Sequence, residues 1–230
     1  MVLQDQVVNP DGKMKKEFWL ERWEREETGF HDKEVNAYLA QYWHELQLAQ
    51  GSGVFVPLCG KSVDMQWLHE QGHPVLGVEL SNVAVQAFFK EHGYIPHYLH
   101  GGKLDGYEAN GIRILCGDFF DLSRDDLAKV AAVYDRASMV ALPPEIRERY
   151  VKQLLSMLPP ATQILLITFD YPQTEMQGPP FAVSAAEVEA LYREHAQIRL
   201  LAERDVLAEN PRFQKRGLSQ LRERIYLLTL

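Results

Sequence analysis

The residues of this chain that offer chemistry stand where short apolar runs end. Glu79 closes the run 74–80, 19 residues after Gly60. A carboxylate at the end of a buried strand accepts hydrogen bonds from both hydroxyls of a ribose, a bidentate geometry that neither an amide nor a lysine reproduces. Asp118 stands in Cys116-Gly117-Asp118-Phe119-Phe120, in the run 112–120. An acid followed by an aromatic suits an adenine, with one contact to the exocyclic amine and one to the ring. Together Glu79 and Asp118 describe an adenosine site and leave open what the adenosine carries. Each also has a plainer reading: Glu79 as a solvated acid capping the helix that starts at Ser81, and Asp118 as an N-cap or turn acid. Asp135-Arg136 ends the run 131–135. This arginine either pairs with Asp135 or faces bound molecules, and spacing alone does not choose.

The glycine pattern argues against a phosphate ligand. Gly60-Lys61-Ser62 has the tail of a phosphate-binding loop, but that motif needs glycine at 55, which is Phe55. The dinucleotide fingerprint fails too, because Leu58, Gly60 and Val63 supply one glycine where three are needed. Cys59 and Cys116 fall on the first and third strands, about 10 Å apart with a strand between them. That exceeds disulfide reach, so both read as buried reduced thiols, and Cys59 has no histidine partner in sequence to make it a nucleophile. His69 and His73 have i, i+4 spacing, but Gly72 ends the helix between them, so no metal is expected.

The elements that position these residues follow from periodicity. Charged residues 15–27 carry Phe18, Trp19 and Trp23, the tryptophans on one helical face. Residues 31–47 are predicted as a second helix with Val35, Leu39, Tyr42 and Leu46 on its buried stripe, ended at Gly51-Ser52-Gly53. From residue 54, strand and helix alternate five times: strands 54–60, 74–80, 112–120, 131–135 and 162–171, with helices 62–70, 81–92, 144–158 and 184–195. Residues 94–111 break that rhythm with four glycines, one proline and two histidines, and read as an insertion with hairpin punctuation. Strands 198–206 and 222–230 lack a long helix between them and are expected to pair antiparallel. The alternation specifies a doubly wound parallel sheet, whose ligand lies beyond the carboxyl ends of the strands.

Composition agrees with a globular protein. The chain has 230 residues, 46% apolar and 24% charged, enough for a sizeable core. A net charge of −8 argues against a nucleic-acid surface. No apolar run reaches the roughly 20 residues that span a bilayer, and the polar start has no signal-peptide core. A cytoplasmic monomer is expected.

Longer blocks resemble a known family. Phe18-Trp19-Leu20-Glu21-Arg22-Trp23, Gly29-Phe30-His31 and Val56-Pro57-Leu58-Cys59-Gly60-Lys61-Ser62 are similar to the thiopurine S-methyltransferases. Gly77-Val78-Glu79-Leu80-Ser81, the Cys116 block, Tyr134-Asp135-Arg136-Ala137, Leu142-Pro143-Pro144 and Tyr226-Leu227-Leu228-Thr229 agree. The resemblance covers residues 17–230 and is closer to bacterial than to animal members. It implies an α/β, Rossmann-like class I methyltransferase fold: a seven-stranded, mostly parallel sheet with an antiparallel C-terminal strand pair, and N-terminal helices covering the cofactor. One domain is implied over 1–230, with a helical cover at 1–50 and a core at 54–230 that bears the 94–111 insertion. The implied cofactor is S-adenosyl-L-methionine, leaving as S-adenosyl-L-homocysteine.

The resemblance assigns Trp23, Leu58, Glu79, Asp118, Phe119 and Arg136 to the cofactor, and Gly60, the one glycine of that turn that permits close backbone approach, is counted with them. It assigns Phe30, Arg136 and Arg212 to the substrate, with Arg136 orienting it, and names no general base and no metal. The implied reaction is in-line S-methylation of thiopurines and related aromatic or heterocyclic thiols. The alternative acceptor is a selenium or tellurium species, as in metalloid detoxification and tellurite resistance. A NAD-dependent oxidoreductase is opposed by the missing glycines, and a non-catalytic S-adenosylmethionine-binding module by the intact Glu79, Asp118 and Arg136. Partners are therefore a small-molecule thiol or metalloid, with no nucleic acid and no membrane.

Overall fold

The computed structural model describes residues 15–29, 31–100 and 102–230. Phe30 and residues 1–14 lie outside the described residues. Two compact units are present, Lys16–Tyr134 with Ser156–Thr162, and Asp135–Leu155 with Gln163–Leu230.

The first unit holds β1 (Gly53–Val56), β2 (Val75–Glu79), β3 (His97–Leu99), β4 (Asp105–Ala109), β5 (Ile112–Cys116) and most of β6 (Val130–Arg136). Their hydrogen-bonded order is β3-β4-β5-β2-β1-β6. β2 pairs in parallel with β1 and β5, and β1 with β6. Such strands are covered on both faces, which is why Val54-Phe55-Val56 is an unbroken, fully buried apolar run. β3 and β4 pair antiparallel and extend the sheet from β5. They lie within residues 94–111 and, among the described residues, raise the strand total from the expected seven to nine.

Helices α1 (Lys16–Glu24), α2 (Ala37–Tyr42), α3 (Asp64–Glu70) and α4 (Asn82–Glu91) complete this unit. The helix predicted over 31–47 starts later and is shorter. The Asn36 side chain accepts from the N–H groups of Tyr38 and Leu39, which sets the start at Ala37. A 3-10 turn over Trp43–Leu46 follows, and left-handed Gln47 (φ 48°) ends it. Asp64 ties three elements together: its carboxylate accepts from Asn36 N–H at 2.8 Å and from the Tyr134 hydroxyl at 2.9 Å. Ser81 caps α4 as expected, its hydroxyl accepting from Ala84 N–H.

The second unit holds most of α5 (Pro144–Met157), then β7 (Gln163–Asp170), α6 (Ala185–Tyr192), β8 (Gln197–Asp205), α7 (Pro211–Lys215) and β9 (Arg222–Thr229). The order is β7-β9-β8, and β9 pairs antiparallel with both neighbours. The expected antiparallel C-terminal pair is therefore present. Arg224 on β9 reaches Asp170 on β7 and Glu203 on β8, so one guanidinium joins three strands. Among the described residues, no helix is long and apolar enough to cross a membrane.

Candidate functional site

Strand register places Glu79. It pairs with Cys116 on β5 and lies two residues beyond Gly77, the partner of Val56 on β1. Its carboxylate is thereby level with the turn that follows β1. Glu79 Oε2 accepts from Gly60 N–H at 2.8 Å, and Oε1 accepts from Ser81 N–H at 2.7 Å. The side chain is 7% exposed, so the reading as a solvated capping acid fails. Burial pushes the Glu79 carboxyl above the ordinary glutamate value, and the N–H groups of Ser81, Gly60 and Leu80 oppose that shift. Gly60 and Ser81 N–H groups thus take one oxygen each, and a carboxylate's roughly four acceptor positions are not exhausted by them.

The turn itself explains why Gly60 stands there. Leu58 (φ 46°) and Gly60 (φ 54°) are both left-handed, a conformation that costs a non-glycine residue about 1–2 kcal/mol. A Cβ on residue 60 would lie 3.1 Å from Trp23 Cζ2, so the indole of α1 rests against the bare glycine. Trp23 is buried there. The thiol between Leu58 and Gly60 packs inward: a Cβ on Gly77 would lie 2.7 Å from Cys59 Sγ. Burial pushes the Cys59 thiol well up, away from nucleophilic use. β2 separates it from β5, which carries Cys116, and both cysteines are free.

The third strand ends earlier than its sequence suggests. β5 stops at Cys116, and Gly117 N–H donates to the Glu79 backbone oxygen at 2.8 Å. Asp118 then caps a 3-10 turn over Phe119–Asp121, its Oδ1 accepting from Phe120 N–H at 2.9 Å. The plainer reading of Asp118 as an N-cap is thus correct for one oxygen. The other, Oδ2, lies 2.9 Å from Lys16 Nζ, in the first turn of α1. Phe119 is buried, edge-on to Phe120 at 5.5 Å between ring centroids. The first unit therefore gathers Trp23, Gly60 and Glu79 at one turn, and sets Asp118 and Phe119 beyond β5.

Arg136 and Arg212 belong to the second unit. Asp135 is fully buried, and its Oδ2 accepts from the Tyr150 hydroxyl at 2.7 Å. Burial pushes its carboxyl up to about 6, opposed by hydrogen bonds from Tyr150 and Ser138. Side chains alternate along a strand, so Arg136 leaves the opposite face from its neighbour. This geometry disfavours an Asp135–Arg136 pair. Ala137 follows in a left-handed turn (φ 67°). Arg212 is exposed on α7, its guanidinium 4.8 Å from the Phe213 ring centroid. Phe213 packs into a cluster with Tyr171, Met176, Val206, Leu218 and Leu221.

Lys16 is the site neighbour that sequence reasoning misses. It is one of several lysines and glutamates in residues 15–27, and no spacing distinguishes it. His73 Nδ1 lies 3.0 Å from the Ser52 carbonyl, and no group of three metal-ligating side chains occurs among the described residues.

The donor set suits a diol and not a phosphate. Gly60 is the residue whose N–H would serve a phosphate at this turn, and that N–H is already given to Glu79. What remains is an acceptor-only carboxylate beside a bare glycine and an indole.

Comparison with known proteins shows the family and the fold. A family model described as thiopurine S-methyltransferase matches residues 14–230. The thiopurine S-methyltransferase of Nitrosospira multiformis is 67% identical over 215 residues, covering 94% of this chain and 98% of the relative. That of Azotobacter vinelandii is 50% identical over 215 residues, covering 94% and 99%. Among solved structures, a SAM-dependent methyltransferase from Anabaena variabilis superimposes with a TM-score of 0.64 at 12% identity, covering 97% of this chain and 98% of that one. The 1,6-didemethyltoxoflavin-N1-methyltransferase of Burkholderia thailandensis, solved with S-adenosylhomocysteine, gives 0.62 at 15% identity, covering 93% and 86%. At those identities the likeness shows the fold, which is that of the class I methyltransferases.

Proposed function

This chain belongs to the thiopurine S-methyltransferase family, S-adenosylmethionine-dependent enzymes, and from that premise we propose that it methylates the sulfur of thiopurines and related heterocyclic thiols. The observation that carries the site assignment is the buried Glu79 carboxylate, held by Gly60 and Ser81 N–H groups with acceptor capacity to spare. When bound, S-adenosylmethionine supplies an electrophilic methyl group on a cationic sulfur. Glu79 accepts the ribose hydroxyls, and Gly60, which carries no side chain, borders the cofactor with Trp23 packed against it. Asp118 accepts from the adenine amine, and Phe119 contacts the ring. Leu58 lines the same turn, and Trp23 excludes water from it.

Arg136 acts on the acceptor. A heteroaromatic thiol ionises readily, so a strong base is not required, and a guanidinium favours its anion and orients a ring nitrogen. The family resemblance further assigns Phe30, which lies outside the described residues, and Arg212 to the substrate. An anion meeting a cation loses charge on the way to the transition state, which a water-poor site favours. Most of the acceleration then comes from alignment, with reacting atoms about 3 Å apart. We place the reaction in the cytoplasm, in keeping with the two free thiols, and in a monomer.

The test is a mass-spectrometric methylation assay with S-adenosylmethionine and, in separate arms, 6-mercaptopurine, selenite and tellurite. Methylated 6-mercaptopurine supports the proposal. Product from the metalloid arms alone moves the function to selenium or tellurium, and no product from any arm overturns the acceptor class.

A further inference from the structure

α1 touches the strand ends at two points. Lys16, at its start, meets Asp118 beyond β5, and Trp23, near its end, meets Gly60 beyond β1. The strand order here is β5-β2-β1, so Glu79 at the end of β2 stands between the two contacts. The lengths agree: seven residues of helix rise about 10.5 Å, and two steps between neighbouring strands span about 9.6 Å. α1 is thus a bar laid across three strand ends and fastened at both.

Glu79 is 7% exposed beneath this arrangement and Trp23 is 5% exposed. A ribose that is to reach Glu79 therefore requires the bar to lift. The two fastenings differ in kind. Trp23 is buried, 5% exposed, against Gly60, where bulk salt has little access. The Lys16–Asp118 contact joins a side chain 47% exposed to one 16% exposed, an ion pair that salt screens. The end that releases first is the Lys16 end. The hydrogen bond to Asp118 holds the Lys16 ammonium above its ordinary value, against partial desolvation. A carboxylate has about four acceptor positions, enough for Phe120 N–H, Lys16 and an adenine amine together.

We propose that Lys16 is a further residue of the cofactor site, whose ion pair with Asp118 fastens α1 over Glu79 and sets the rate at which the adenosine portion enters and leaves, with Trp23 as the pivot. This rests on the assignment of Glu79 and Asp118 to the cofactor made above. Lys16 fastens the closed bar with and without the ligand, so it governs rates more than affinity.

Stopped-flow tryptophan fluorescence with S-adenosylhomocysteine tests it. Lys16→Met keeps the stem and removes the charge. It is expected to raise the association and dissociation rate constants together, each by roughly three- to fivefold, with Kd changed less than about twofold. Raising salt from about 0.05 to 0.5 M speeds both steps in the wild type and not in Lys16→Met. Lys16→Arg restores the wild-type rates. Unchanged rates in Lys16→Met overturn the inference, and so does a rise in dissociation alone, which would make Lys16 an ordinary ligand contact. Failure of the underlying assignment shows separately, as S-adenosylhomocysteine affinity unchanged by Glu79→Gln, and overturns this inference with it.

Discussion

Glu79→Gln is nearly isosteric and removes one acceptor oxygen from the centre of the site. In the folded chain Oε1 accepts from Ser81 N–H at 2.7 Å and Oε2 from Gly60 N–H at 2.8 Å. Glutamine satisfies one of these donors and turns its own NH2 toward the other. A buried N–H left unmet costs about 1–3 kcal/mol, and that falls on stability. Against it stands the burial that raises the wild-type pKa, because an amide has no charge to desolvate. The net stability change is therefore small, up to about 2 kcal/mol. Binding has no such offset. A ribose hydroxyl that loses a charged acceptor forfeits about 1.5–3 kcal/mol, so S-adenosylhomocysteine affinity is expected to fall on the order of 10- to 100-fold.

The pH dependence separates the two effects. The folded pKa of Glu79 lies above its unfolded value, so ionisation is the unfavourable state for this buried group. Its contribution to stability is greatest below the unfolded pKa and declines as pH rises through the folded one. Binding runs the other way, since a protonated carboxyl has lost acceptor capacity, and affinity declines as pH falls through that same raised pKa. Calorimetric titration and urea denaturation across the acid range read both slopes, and Glu79→Gln is expected to flatten them. Unchanged affinity would remove Glu79 from the site. Stability and affinity that declined together toward low pH in the wild type would refute the electrostatic argument.

Three other substitutions have defined outcomes. Arg136→Ala is expected to lower thiopurine turnover at least about tenfold, roughly 1.4 kcal/mol of barrier, and wild-type catalytic efficiency would end its assigned role. Gly60→Ala must adopt a left-handed backbone (φ 54°) and bring a Cβ within 3.1 Å of Trp23 Cζ2, so a stability loss of about 1–2 kcal/mol and altered tryptophan emission are expected. Unaltered urea denaturation would show that the turn relaxes freely. Asp135→Asn keeps an acceptor for Tyr150 and removes a charge whose pKa is pushed from 3.8 to about 6. The wild type loses stability as pH rises from about 4 to 6, on the order of 3 kcal/mol in all, and the variant is expected to lack that slope and to be more stable at neutral pH. Denaturation midpoints at about pH 5 and pH 8 check this, and a variant less stable at pH 8 would refute it.

What the sequence made legible was chemistry placed at strand ends, and what it hid was backbone conformation. Glu79 was readable because a lone acid ends an apolar run that has no solvent face to explain it. The boundaries around it were not, because they depend on torsions. The apolar run 54–60 looks like continuous strand, yet β1 stops at Val56 because Pro57 has no N–H and Leu58 turns left-handed. The run 112–120 stops at Cys116 because Asp118 caps a turn. The helix over 31–47 loses its first residues to the Asn36 cap, a local hydrogen bond that apolar periodicity does not register. Lys16 was hidden for another reason: its role depends on a partner 102 residues away in sequence.

These hidden torsions also decide which ligand the site prefers. A turn with three glycines would leave its N–H groups free for a pyrophosphate. Here Gly60 gives its N–H to Glu79 and Leu58 accepts a strained conformation beside it. The same hydrogen bond that occupies this one donor also orients the carboxylate, so in the proposed site a single contact serves a ribose diol and takes away one of the several N–H groups a pyrophosphate needs. Releasing Gly60 N–H while keeping the glycine, as Glu79→Ala does, therefore restores a donor without restoring the ribose acceptor. Weaker S-adenosylhomocysteine binding with no gain toward NADH, measured by calorimetry, is the expected result. A gain in NADH affinity would refute the view that the missing glycines also bar a dinucleotide.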